Sequence, residues 1–318
     1  MTYHHAFVAG ALAAVVVALP VAAENQVAFD NDISSFMLSI AQSPDPESQV
    51  VSIVKDFALG TVNNRLNLLE ERATGTNSNW KYLGLELGVS DDQIALEAMS
   101  VYGLYENKNW FLFNQSSLVN YNDRTTLNVG FGARHINDPE TFILGANIFH
   151  DYEFGSEHRR LGLGFEALSE DLEFRVNGYR ALTDEIIYKG ISETAMDGYD
   201  VKFTYNLPLW YQSDVYFLAT EWDGTAGYST SNRELGFNTE ILPGLTGRIA
   251  LNETDNDDAK VEASLNYSIA LGGERQSRSM RSVRNGNPSI RHMLYEPVER
   301  ENRIMKQSVE AGVIVSGY

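Results

Sequence analysis

The 318-residue chain has no cysteine. Small secreted modules stapled by disulfides are therefore excluded, and any fold must be held by its own core and hydrogen bonds. Positive charge is also scarce. Lys and Arg number 24 against 43 Asp and Glu, for a formal net charge of −19. Such a surface repels a phosphate backbone and argues against nucleic acid as the main partner. Long apolar runs are confined to the first residues, where "AFVAGALAAVVVALPVAA" is followed by polar sequence. Beyond Ala23 no apolar stretch reaches the ~20 residues of a membrane-spanning helix.

That early run reads as a signal peptide over residues 1–23. Val21 and Ala23 suit the small-residue cleavage positions, leaving Glu24 as the mature start. The leader carries His4 and His5 but no Lys or Arg. Residues 24–79 follow as a polar segment with one helical stretch. Asp45 is placed to cap it, with Pro46 at the first helical position. Val51, Val54, Ala58, Val62, Leu66 and Leu69 then recur at spacings of three and four, predicting an amphipathic helix that stops near Gly75.

From about Trp80 the period becomes two. In "AKVEASLNYSIAL", Val261, Ala263, Leu265, Tyr267, Ile269 and Leu271 alternate with Lys260, Glu262, Ser264, Asn266 and Ser268. One face of such a strand is oily and the other wet. In "TTLNVGFGARHIN" the glycines Gly130 and Gly132 fall in step with Asn128 and Arg134. They are small positions on a wet face. A phosphate-cradling Gly-x-Gly would sit in a turn opening a helix, and no helical period follows.

About twelve strand candidates can be marked: 80–89, 94–105, 109–121, 125–137, 141–152, 157–168, 171–182, 197–208, 213–223, 233–241, 245–254 and 259–271. Each is near or above the ~9–11 residues of a tilted membrane-crossing strand. The connections after even strands are short ("NKN", "NDPE", "SED", "PLWYQS", "LPG"). Several after odd strands are long or acidic, as in "TDEIIYKGISETAM", "DGTAGYSTSN" and "DNDD". Outer-membrane barrels have this asymmetry, with short periplasmic turns and longer external loops. Trp80, Trp110 and Trp210 fall at the expected periplasmic rim and Trp222 near the opposite one, where headgroup layers favour amphipathic rings. The expected fold class is an all-β transmembrane antiparallel barrel over residues 80–272, with lipid on its oily outside. A soluble barrel would alternate too, but with the oily face inward. The wet face carries Arg134, Glu166, Arg175, Lys202 and Arg248, a set that suits a watery lumen and equally the outside of a soluble barrel; the leader, the loop asymmetry and the Trp positions favour the membrane.

Three stretches, taken in order, carry a resemblance. Leu127 to Arg134 (Leu-Asn-x-Gly-x-Gly-x-Arg), Gly145 to Asp151 (Gly-Ala-Asn-x-Phe-x-Asp) and Arg159 to Gly164 (Arg-Arg-Leu-Gly-Leu-Gly), followed by Asn177 to Tyr179, resemble the barrel domain of the intimin and invasin family, the inverse autotransporters. "LYEPVERENRI" (Leu294 to Ile304) resembles the element that follows the barrel in that family, and the helix before Trp80 its periplasmic helix. The resemblance implies a twelve-stranded outer-membrane barrel with a periplasmic N-terminus. It also implies a linker, 273–306, that threads the pore to carry a passenger outside. The partners implied are outer-membrane lipid and lipopolysaccharide, the outer-membrane assembly machinery and periplasmic chaperones, with a host or cell-surface receptor only if a passenger exists. The linker's eight Lys and Arg outnumber its four Glu, leaving −23 on the rest of the chain, so a basic segment is expected in an acidic lumen. Residues 307–318 are expected to be a short tail. They leave no room for the family's extracellular domains, so the expectation is a translocator without a passenger. The alternatives are a stand-alone porin-like pore or an adhesin acting through its loops.

No catalytic, cofactor-binding or metal-binding residue is expected. His135, His150 and His158, with Asp151 between the last two, lie on different strands, and their spacing gives no reason for them to converge on an ion. No Gly-x-Ser-x-Gly elbow occurs. The acidic loop 255–258 lacks the spacing of a calcium loop.

Overall fold

The structure is a computed structural model. It describes residues 79–90, 93–207, 213–242, 245–255, 257–270, 289–310 and 313–317. The expected signal peptide, the helix over 46–74 and Trp210 lie outside these residues.

Sixteen strands are described. They are β1 (Trp80–Ser90), β2 (Gln93–Glu106), β3 (Trp110–Tyr121), β4 (Arg124–Ile136), β5 (Phe142–Glu153), β6 (Arg159–Ser169), β7 (Leu172–Ala181), β8 (Ile186–Tyr188), β9 (Ile191–Ala195), β10 (Asp197–Asn206), β11 (Ser213–Asp223), β12 (Ser229–Leu242), β13 (Leu245–Thr254), β14 (Asp257–Ala270), β15 (Lys306–Glu310) and β16 (Val313–Gly317). Twelve of them, β1–β7 and β10–β14, form one closed antiparallel barrel. The ring shuts where β1 meets β14, with Tyr82 opposite Ala270 and Val89 opposite Ala263. β8, β9, β15 and β16 make a separate four-stranded sheet.

The alternation read from the sequence sorts side chains between two environments. Phe131, Leu144, Leu163, Phe165, Phe203, Ile249 and Val261 all project outward and are exposed. Their neighbours Asn128, Arg134, Asn147, Glu166, Arg175 and Asn177 are buried inside. The exterior also carries a polar stretch on β3 and β4. Asn114, Ser116, Asn120 and Thr125 face outward on β3 and β4 and bond locally: Ser116 Oγ donates to Asn114 Oδ1 (3.2 Å), Asn114 Nδ2 to the Gly130 carbonyl (2.8 Å) and Asn120 Nδ2 to Thr125 Oγ1 (3.0 Å).

The inward glycines make room for side chains lying flat against the wall. A Cβ on Gly132 would come 2.2 Å from the Phe113 ring, and one on Gly130 would come 2.3 Å from Phe149. The Gly-x-Gly of β4 is thus the floor beneath two rings.

Three expectations need correction. Trp222 lies near the long-loop end but points inward, 3 % exposed and tilted against Tyr179, so it anchors no headgroup layer. The connection after β7 is a hairpin, β8–β9, closed by Lys189 and Gly190, both with positive φ as a two-residue turn requires. Residues 307–318 are no plain tail, because they supply most of β15 and all of β16, paired with each other and with β9.

An oily exterior predicts a specific cost. Leu163→Arg, mid-strand on β6 with its side chain half exposed, should destabilise the bilayer-inserted barrel by about 2–4 kcal/mol. Denaturant titration in lipid vesicles reads this. A soluble barrel would scarcely notice the change.

Candidate functional site

The lumen is where side chains and backbone from distant sequence meet. Residues 289–306 run along its inner wall, on the side of β2 to β7 and β10. At the end with short turns, Glu140, in the turn after β4, receives the chain. Its carbonyl accepts the Ile290 N–H (2.9 Å), and its carboxylate accepts the Ser289 hydroxyl and two bonds from Arg291 (2.9 and 2.7 Å). The Ser289 hydroxyl and the Arg291 guanidinium hold that carboxyl below its usual range.

A short 3₁₀ turn, Arg291–Tyr295, comes next. Ile290, Met293 and Leu294 enter a socket of Phe111, Phe113, Ile136, Ile143, Phe149 and Leu168, all buried. Arg134 lies beneath the turn and is fully buried. It forks onto Glu166 (2.6 and 3.0 Å) and donates its remaining nitrogen to the carbonyls of Met293 (3.2 Å), Leu294 (2.8 Å) and Glu296. These carbonyls have no strand partner, so the guanidinium meets the rule that buried backbone acceptors be satisfied.

Further along, the Gln115 side-chain amide acts as a substitute strand. It donates to the Val298 carbonyl (3.0 Å) and accepts from the Val298 N–H (2.6 Å). Arg300 clamps both oxygens of Asp151 (2.7 and 2.6 Å), and Asp151 also accepts from Arg160 (2.8 Å). Arg160 donates to the Glu301 carbonyl (2.6 Å), Asn177 to the Glu299 carbonyl (3.0 Å) and Asn302 to Glu97 (2.6 Å). The Arg300 guanidinium passes 2.9 Å from where a Gly162 Cβ would stand, which explains the glycine there. The Glu299 carboxylate pairs with Lys202 and sits 3.5 Å from Arg175.

This pattern fixes the register of the segment. The run Glu299, Arg300, Glu301 offers Asp151 a cation at one position only. A slip of one residue in either direction would bring a carboxylate against a carboxylate in a buried site. The expected match of a basic segment to an acidic lumen is therefore refined. Within 289–306 the charges nearly balance, and pairing runs in both senses; Arg275, Arg278, Arg281 and Arg284 lie outside the described residues. Opposite the segment, a cavity of about 940 Å³ remains along β11 to β14, β1 and β2, with Glu86, Asp214, Glu234, Arg248 and Glu262 in its wall.

The five wet-face residues named from the sequence all point into the lumen. Arg134, Glu166, Arg175 and Lys202 serve the segment or its supports, while Arg248 bonds Tyr216 and Glu234 along the cavity wall. Asp151, Arg160 and Tyr179 fall within the stretches that carry the family resemblance, but no spacing in them reveals a partner in the lumen. Gln115 lies outside those stretches, and nothing in its strand marks it apart from other polar alternation. The histidines separate: His135 packs edge-on to Trp110 at the short-turn end, His150 faces outward on β5, and His158 is buried at the other end.

A closed twelve-stranded barrel with an oily exterior and a hydrogen-bonded interior is an integral outer-membrane β-barrel protein. Residues 31–302 match the family model described as the inverse autotransporter beta-domain, and the chain belongs to that family. Among curated relatives it is 26% identical over 198 residues to an attaching and effacing protein homolog of Escherichia coli K12, covering 60% of this chain and 64% of that protein. It is 30% identical over 160 residues to invasin of Yersinia enterocolitica, covering 49% and 17%, and 28% over 157 residues to intimin of Escherichia coli O127:H6, covering 48% and 16%. The chain thus spans under two thirds of the first of these and a small part of the others. A solved structure titled for the in-meso crystallization of membrane proteins has the same fold, with a TM-score of 0.64 at 19% identity, over 72% of this chain and 99% of that one.

Two outcomes follow from the geometry. Arg300→Met leaves buried Asp151 with Arg160 alone, so it should loosen residues 297–303 by about 3–5 kcal/mol, read as faster hydrogen exchange there. Arg303→Gln, partly exposed, should do little. At the long-loop end, burial depresses the His158 ring below its ordinary value. Glu153 and Glu193 oppose the shift, and Lys306 and Arg124 add to it. The unfolded loop then binds a proton that the folded one refuses. Stability should fall as pH drops through about 6.5 towards the lower folded value. Proteolysis within 182–196 should quicken over that interval, and His158→Gln should flatten the dependence.

Proposed function

We propose that this chain is a translocator and anchor: its barrel holds it in the outer membrane, and its C-terminal segment passes outward through the lumen. The observation that carries this reading is the unbroken series of contacts from Glu140 at one end to Glu153 at the other, all made by inward-facing groups to residues 289–306. A polar chain of that kind would be costly in lipid and suits a wet interior. In this reading the short turns face the periplasm, the long connections face outward, and residues 1–23 are a signal peptide cleaved before Glu24. Residues 24–79 are a periplasmic segment, 80–272 the barrel, 273–306 the linker in the pore and 307–318 its external end. Delivery by periplasmic chaperones and insertion by the outer-membrane assembly machinery would follow, with lipid and lipopolysaccharide around the finished wall. The function is topological and calls for no catalytic group.

The cavity beside the segment favours a second reading, a pore that passes small solutes. The two part on one pair of experiments. A tag placed after Tyr318 should be cut by protease added to intact cells. A tag protected until the outer membrane is broken would refute export. In planar bilayers, deletion of 273–318 should raise conductance severalfold if the segment is a plug, and leave it unchanged if the pore is open already.

A further inference from the structure

The β8–β9 hairpin belongs to no barrel strand, yet β15 is laid along it in register. Lys306 lies opposite Ala195, Gln307 opposite Thr194, Ser308 opposite Glu193 and Val309 opposite Ser192. The Met196 N–H extends the pairing by donating to the Met305 carbonyl (2.9 Å). Beyond the backbone, three connections converge on the start of β15. Lys306 pairs with Glu153, and Arg124 bridges Glu153 (2.8 Å) to the β9 residue Glu193 (3.0 Å). The Gln307 side-chain oxygen accepts from the Thr225 N–H (2.7 Å) and hydroxyl (3.1 Å), in the connection after β11. Met305 closes a cluster with Tyr179, Met196 and Trp222.

A two-stranded hairpin is marginal in water, and three or more strands are needed for independent stability. The outer edge of β9 is therefore an unsatisfied edge until a strand arrives. The arriving strand is supplied by this chain, directly after the last residue held in the lumen.

We propose that the β8–β9 hairpin is a strand acceptor that captures residues 306–310 as they leave the lumen and retains them by strand addition. This rests on the export reading above. The segment fits the lumen as a single extended chain. Once β15 has joined β9 and β16 has folded back on β15, it is part of a four-stranded sheet. Strands spaced ~4.8 Å apart make that sheet roughly 14 Å wide between outer backbones, and it cannot return as one chain. Capture thus makes the passage one-way without any energy source other than strand pairing and the burial of Met305.

The alternation that aims the Met196 N–H at β15 aims the Thr194 N–H to the same side, so Thr194→Pro removes a bond needed for capture without touching a barrel strand. In the full chain, Thr194→Pro should speed hydrogen exchange at least tenfold in 191–195 and 306–310 and leave β4 to β6 unchanged. A tag after Tyr318 should reach the cell surface severalfold more slowly, while heat-modifiable mobility shows the barrel folded as before. The chain has no cysteine of its own, so Thr194→Cys with Gln307→Cys should form one disulfide in intact cells. Absence of that disulfide, or display by Thr194→Pro at the unsubstituted rate, overturns the proposal. Failure of the unsubstituted chain to display its tag is a different result and overturns the export reading itself.

Discussion

Every peptide group in the wall of this protein must find its partner within the wall. Hydrocarbon offers no hydrogen bond, so an open sheet edge in the membrane is not tolerated, and the pairing of β1 with β14 removes the last one. Closure then dictates the rest. A closed wall has an inside, and the two-residue alternation gives that inside most of the polar side chains. The interior is thereby committed to buried charges, and each charge must be answered by another group in the lumen.

The segment 289–306 is one solution to that requirement. Arg134, Gln115, Asn177 and Arg160 point donors at backbone carbonyls that have no strand beside them. In return, the segment gives Asp151 and Glu97 donors of its own. Neither party is satisfied alone, so wall and segment specify each other's position. Buried ion pairs of this sort contribute little net stability compared with an apolar core, but losing one member is expensive. Their value lies in register. The apolar socket around Met293 and Leu294 supplies the burial, and the charges along 299–303 decide which residue stops where.

The wall was legible in the sequence because alternation is a local signal. β11 and β13 match their expected limits of 213–223 and 245–254, and the other barrel strands differ by a few residues at most. β12 is the main exception at its start: Ser229 to Asn232 read as a polar loop but pair with β11. Serine and threonine carry no oily face to count, so a strand extending past the membrane loses its signature. The β8–β9 hairpin was missed for another reason. "IIYKGIS" contains a two-residue Lys-Gly turn between Tyr188 and Ile191, a recognisable hairpin signal, but it sits within a long connection whose acidic flanks read as loop. The inward rotation of Trp222 escaped because amphipathic rings favour rims on either face, and only the register with Gly198 and Tyr179 settles which face it takes.

The lumen contacts were hidden at a deeper level. Gln115 and Val298 stand 183 residues apart, and Arg134 reaches carbonyls about 160 residues away. No spacing rule connects such pairs. What the sequence does carry is the shape of the vacancy. Gly130, Gly132 and Gly162 lack side chains where Phe149, Phe113 and Arg300 need room. A glycine in step with polar residues on a barrel strand can thus mark a close approach from inside, by a neighbouring side chain or by the segment in the lumen. Gly162 is the informative one, because the group it admits comes from outside the wall. Its absent Cβ is the trace, in the strand's own sequence, of a segment that lies more than a hundred residues downstream.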